Sequence, residues 1–153
     1  PHNFMLCGII NKMLPEAKIV FCYRDPMNNC FSLYKNTFGT SGHGYSYDQT
    51  KLSKHYNLHV KLMKHWKNVL GDKIFLLKNE SLIDDQKGVT AKLLKHCGLE
   101  WEDQCLEFYK TQRDVRTISI RQVRNPINKK SLGLWKNYAD SLSEMQKSLK
   151  EFS

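Results

Sequence analysis

The chain has no apolar run near the roughly 20 residues needed to cross a bilayer, and nothing in it reads as a signal peptide. No membrane segment is expected, and a cytoplasmic location is. Its five cysteines, Cys7, Cys22, Cys30, Cys97 and Cys105, form no C-x-x-C pair and no Cys/His zinc spacing. They read as small core hydrophobes in a reducing compartment, and no metal is expected. Internal repeats and low-complexity linkers are also missing, so the 153 residues make one domain with a modest core. Acid is scarce. Lys and Arg number 24 against 15 Asp and Glu, a net charge of +9, and no acid at all occurs from Val115 to Lys136. Such an excess suits an anionic partner (nucleotide, nucleic acid, membrane surface or acidic peptide) or simply a lysine-rich solvated surface.

The stretch that organises the rest runs from Ile19 to Phe38. Ile19, Val20, Phe21 and Cys22 form a short apolar run that predicts a buried strand, and Arg24-Asp25-Pro26 ends it. Asp25 is a suitable N-cap and Pro26 suits the first helical position. Met27, Cys30, Phe31, Leu33, Tyr34 and Phe38 then recur at helical spacing. A strand followed directly by a helix presents free N–H groups and a positive dipole end at the strand's carboxyl end, where open α/β sheets bind ligands. Arg24 stands on that rim with a planar fork suited to phosphate, and Ser32 carries a hydroxyl along the same helix. The plainer alternative is an ordinary turn whose arginine pairs with a carboxylate.

Elsewhere, Phe4 to Ile10 predicts a first buried strand and Asn11 to Leu14 a short helical turn closed by Pro15, with the strand over Lys18 to Tyr23 parallel to the first. The opening Pro1, leading almost at once into this apolar run, suggests a chain entered midway. Gly39, Gly42 and Gly44 belong to a surface loop, because they lack the spacing of a phosphate cradle. Ser46-x-x-Gln49 resembles a capping box before a helix from Asp48 to Leu70, with Leu52, Tyr56, His59, Met63, Trp66 and Leu70 inward and Gly71 as its stop. His55 and His59 stand one turn apart without a third ligand, so packing explains them better than metal does. Lys73 to Leu77 predicts a third strand, Val89 to Cys97 a helix ended by Gly98, and Trp101 and Phe108 core anchors. Ser131 is expected to cap a helix through Tyr138, and Ser141-x-x-Glu144 to open a last one carrying Leu142, Met145, Leu149 and Phe152.

Val115 to Trp135 is the second informative stretch. Arg116, Arg121, Arg124, Lys129 and Lys130 lie in a loop pinned by Pro126, an arrangement that suits a polyanion or a basic surface loop.

The R-D-P-x5-S pattern of Arg24, Asp25, Pro26 and Ser32 resembles the 3′-phosphate-binding segment of sulfotransferases that use PAPS (3′-phosphoadenosine-5′-phosphosulfate). The likeness continues through P-x-N-F, G-I-I and L-P-E-A-K-I-V between Pro1 and Val20, and reaches Trp135. It is nearest to the bacterial tetratricopeptide-type and protein-tyrosine sulfotransferases. Ser119, Gln122, Val123, Pro126, Ile127 and Asn128 resemble the second nucleotide-binding segment, S-x-x-Q-V-x-x-P-I/V-N.

The resemblance implies an α/β fold of P-loop-like sulfotransferase type, a parallel sheet flanked by helices, with residues 1–153 as the C-terminal portion of one domain and the N-terminal part missing. It implies PAPS as co-substrate and an acceptor hydroxyl on a peptide tyrosine, a carbohydrate or a small molecule, with no nucleic-acid partner. Arg24 and Ser32 would hold the 3′-phosphate, and Ser119, Gln122, Arg124, Asn128 and Lys129 or Lys130 would close over the nucleotide. Two positions depart from the pattern: Asn79 stands where a tyrosine usually meets the adenine, and Leu134 where a basic residue precedes the tryptophan. The loop for the 5′-phosphosulfate and the catalytic base are not found, so no catalytic residue is assigned and the chain alone is expected to be inactive. The competing class is a non-catalytic nucleotide- or RNA-binding module using the same basic loop.

Overall fold

A computed structural model describes residues 3–38, 42–111 and 123–149. A 3₁₀ turn over Asn3–Met5 leads into helix α1, Cys7–Met13. Strand β1, Ile19–Tyr23, is followed at once by α2, Pro26–Tyr34. The long α3, Gln49–Leu70, precedes β2, Ile74–Lys78. Then come α4, Asn79–Asp84, and α5, Gln86–Cys97; α6, Ser143–Ser148, closes the described chain. The architecture is α/β, with β1 and β2 paired in parallel from Ile19 against Ile74 to Tyr23 against Lys78.

Helix α3 spans both halves of the core. Its start is fixed by Asp48, whose Oδ1 accepts the N–H of Lys51 at 2.7 Å, and its end by Gly71 at φ 54°. Leu52, Tyr56, Val60 and Met63 follow at three- and four-residue spacing and are buried. Leu52, Tyr56 and Val60 pack with Met27 and Cys30 of α2 and with Leu142 and Met145 from the chain's end. Met63 packs with Cys7 and with Phe21 and Ile74 of the two strands. One helix therefore fixes the sheet relative to α2 and α6.

Several expectations are overturned. Phe4 to Ile10 is helical rather than a strand: β2 takes the place beside β1, and of α1 only Cys7 is buried while Ile9 stays exposed. The helix after the glycine loop is capped by Asp48, since the hydroxyl of Ser46 donates to His43 O within a 3₁₀ turn, Gly44–Tyr47. Leu134–Tyr138 is a 3₁₀ turn entered through Gly133 at φ 72°, not a helix capped by Ser131. Ser141 lies in a 3₁₀ turn ahead of α6, and Phe152 falls outside the described residues. Trp101 and Phe108 are only half-buried and join neither core cluster. Gly39 lies outside the described residues, and Gly44 opens the 3₁₀ turn.

The histidines pack, as expected. His59 lies edge-on to Phe4 at 4.5 Å and Phe21 at 5.2 Å between ring centroids, and His55 stacks on Tyr45 at 4.0 Å. Among the described residues no His, Cys, Asp and Glu side chains gather as a metal site, and no helix is long and apolar enough to cross a membrane.

Two predictions come from this packing. A Cβ added at Gly8 would stand 2.7 Å from the Trp66 ring, which is pinned because Trp66 Nε1 donates to Phe4 O at 2.8 Å. Gly8→Ala should therefore lower stability in urea melts by roughly 1 kcal/mol or more, even though alanine is the better helix former by about that amount. Burial, then the neighbouring His55, pushes His59 down from 6.5 to about 4. Between those values the unfolded chain takes up a proton that the folded chain refuses, so stability should fall as pH is lowered through that window. Urea midpoints should show this dependence partly flattened in His59→Gln; an identical pH profile would contradict it.

Candidate functional site

The parallel register determines which residues meet at the strand ends. With Tyr23 beside Lys78, the turn Arg24-Asp25 leaves β1 alongside Asn79-Glu80 leaving β2. Asp25 adopts an extended conformation, φ −44° and ψ 132°, and caps α2, its Oδ1 accepting the N–H of Asn28 at 2.7 Å. Its own N–H donates to Glu80 Oε1 at 3.0 Å. Both carboxylates beside Arg24 are thus engaged by backbone N–H groups.

A second fastening comes from the chain's far end. Gly133 donates its N–H to Asn28 Oδ1 at 2.8 Å, across 105 residues of sequence. The left-handed φ of Gly133 belongs to the residue that makes this contact. The described part of the segment rich in cations, residues 123–135, is therefore tied through Gly133 to the first turn of α2.

Next to this junction lies a cavity of about 200 Å³. It is lined by Phe21, Cys22, Tyr23 and Arg24 of β1 and the turn after it, by Asn29 of α2 and Asn79 of α4, and by Tyr56, His59 and Val60 of α3. Partial burial holds the Cys22 thiol above its ordinary value and burial holds His59 below its own, so these two side chains are uncharged near neutral pH. Cys30, on the buried face of α2, is pushed up to about 12 by burial and then by Asp25, and is an inert core thiol. The cationic group at the cavity is Arg24. Its Nε is buried without a hydrogen-bond partner among the described residues, as is Glu80 Oε2. An orphaned buried polar atom costs about 1–3 kcal/mol, a cost that a bound anion's contacts can offset.

The expected site residues divide into groups. Arg24 lines the cavity. Ser32 lies on the α2 face of Asn28 and Asn29, four and three residues on, half-buried, with its carbonyl accepting from Asn36 Nδ2 at 2.6 Å. Arg124, Asn128, Lys129 and Lys130 are exposed, and none lines the cavity. Asn128 shapes its own loop, accepting from Lys130 N–H at 3.1 Å and donating to Pro126 O at 3.2 Å. Lys129 Nζ rests on Asp84 Oδ1 at 2.6 Å, an exposed pair worth about 0–1 kcal/mol. Ser119 and Gln122 lie outside the described residues.

Sequence reasoning did not assign Tyr56 and Val60 to this cavity, nor Asn28 as the clasp. The periodicity of α3 marks Tyr56 and His59 as inward. Which end of that face meets the strand tips is set by the sheet register, which periodicity does not contain.

Residues 1–103 match the family model described as "Sulfotransferase family". An uncharacterized protein of Aquifex aeolicus (strain VF5) is 35% identical over 155 residues, an alignment covering 99% of this chain and 20% of that protein. The chain thus spans about a fifth of the length of the curated relative it matches. With more than half of its length on the family's pattern and an α/β core whose strand ends present the matched arginine, the chain belongs to the sulfotransferase family.

Proposed function

We propose that this chain is the nucleotide-gripping part of an enzyme that moves the sulfuryl group of PAPS to an acceptor hydroxyl, releasing adenosine 3′,5′-bisphosphate. The observation that carries this reading is the bond from Gly133 N–H to Asn28 Oδ1, because it joins the two stretches whose motifs resemble nucleotide-binding segments. Arg24 and Ser32 take the 3′-phosphate, aided by the positive end of α2. Asn79, which lines the cavity, offers an amide to a base edge. Ser119, Gln122, Arg124, Asn128 and Lys129 or Lys130 close over the nucleotide. Lys129 leaves Asp84 to do so, which an exposed pair permits at little cost.

These are binding roles. Holding the far end of the donor orients its reacting sulfur, and no residue here is assigned the chemical step. The acceptor is a peptide tyrosine, a carbohydrate or a small molecule. The net charge of +9 favours a tyrosine flanked by acidic residues.

Calorimetric titration tests the reading. Adenosine 3′,5′-bisphosphate should bind in preference to adenosine 5′-monophosphate, and Arg24→Ala should weaken it by roughly 10- to 100-fold and remove the preference. Binding of single-stranded RNA that falls steeply with salt, with no preference for the bisphosphate, would contradict it and favour the RNA-binding class.

A further inference from the structure

Two buried polar atoms at the strand ends, Arg24 Nε and Glu80 Oε2, lack hydrogen-bond partners among the described residues. One is a charged donor and the other belongs to a charged acceptor. They share one junction, since Glu80 Oε1 already accepts the N–H of Asp25, the residue bonded to Arg24, at 3.0 Å. Asp25 does not compete for the guanidinium by its capping oxygen, which holds Asn28 N–H at 2.7 Å. A buried N–H and a buried carboxylate oxygen left apart each lose hydration that nothing returns.

Resting on the nucleotide reading above, we infer that Glu80 is a positioning residue for Arg24. With an anion on the terminal nitrogens of the guanidinium, Nε–H donates to Glu80 Oε2, while Oε1 keeps the N–H of Asp25. The carboxylate braces the planar fork from behind, and both terminal nitrogens remain for the phosphate. One side chain thereby fixes the backbone at the start of α2 and the plane of the cation that serves the same anion. Glu80 never touches the nucleotide. Its effect on binding passes through Arg24.

A double-mutant cycle in the full-length protein tests this, read by calorimetry with adenosine 3′,5′-bisphosphate and by thermal melts. Glu80→Gln keeps an oxygen for Asp25 N–H but turns an NH₂ donor toward Nε–H. The melting midpoint should stay near wild type while affinity falls about 10-fold. In the Arg24→Ala background the same change should alter affinity by less than about 2-fold. Equal losses in both backgrounds, or none in either, would overturn the inference and leave Glu80 a backbone cap only. Arg24→Lys provides an arm independent of whether the Glu80 variants fold, since it keeps the charge without the Nε–H. It should bind about 10-fold more weakly than wild type, and wild-type affinity there would also overturn the brace. A wild-type protein that binds no bisphosphate strikes the nucleotide reading itself, and the brace falls with it; the other failures leave that reading standing.

Discussion

The hydrogen bond from Asp25 N–H to the Glu80 carboxylate holds together everything at the strand ends. A two-stranded parallel sheet aligns two chain directions but does not set how the segments beyond it lie. The carboxylate does so, reaching from the first turn past β2 to the N–H of the second residue past β1. From there the order passes along α2, through the Asp25 cap to Asn28 and from the Asn28 side chain to Gly133. Three segments distant in sequence thus meet around one helix start.

The electrostatics follow from how the few acids are spent. Among the described residues neither Asp25 nor Glu80 forms an ion pair with Arg24, and each has an oxygen committed to a backbone N–H. The guanidinium and the N-terminal dipole of α2 therefore point in the same electrostatic direction. His59 and Cys22, both uncharged near neutral pH, also line the cavity, and no carboxylate is among its described lining residues. Lys129, by contrast, is spent on Asp84 at the surface.

Much of this was legible from local chemistry. The run from Ile19 to Cys22, the Asp25 cap and Pro26 define β1 and α2, and Ile74–Lys78 emerges as the partner strand almost where the apolar run of Lys73 to Leu77 puts it. Arg24 at the rim follows from that junction. Phe4 to Ile10 misleads, because a short apolar run does not distinguish strand from helix; what decides is that Cys7 and Gly8 face Met63 and Trp66. The clasp of Asn28 on Gly133 and the bond from Asp25 N–H to Glu80 rest on contacts across 105 and 55 residues, which no local spacing encodes.

We propose that a doubly phosphorylated adenosine sits between Arg24 and the segment tied down at Gly133. A crystal structure of the full-length protein with adenosine 3′,5′-bisphosphate tests it most directly. The 3′-phosphate should lie within hydrogen-bond distance of the Arg24 terminal nitrogens and the Ser32 hydroxyl. A nucleotide bound elsewhere, with Arg24 turned away from both phosphates, would contradict it.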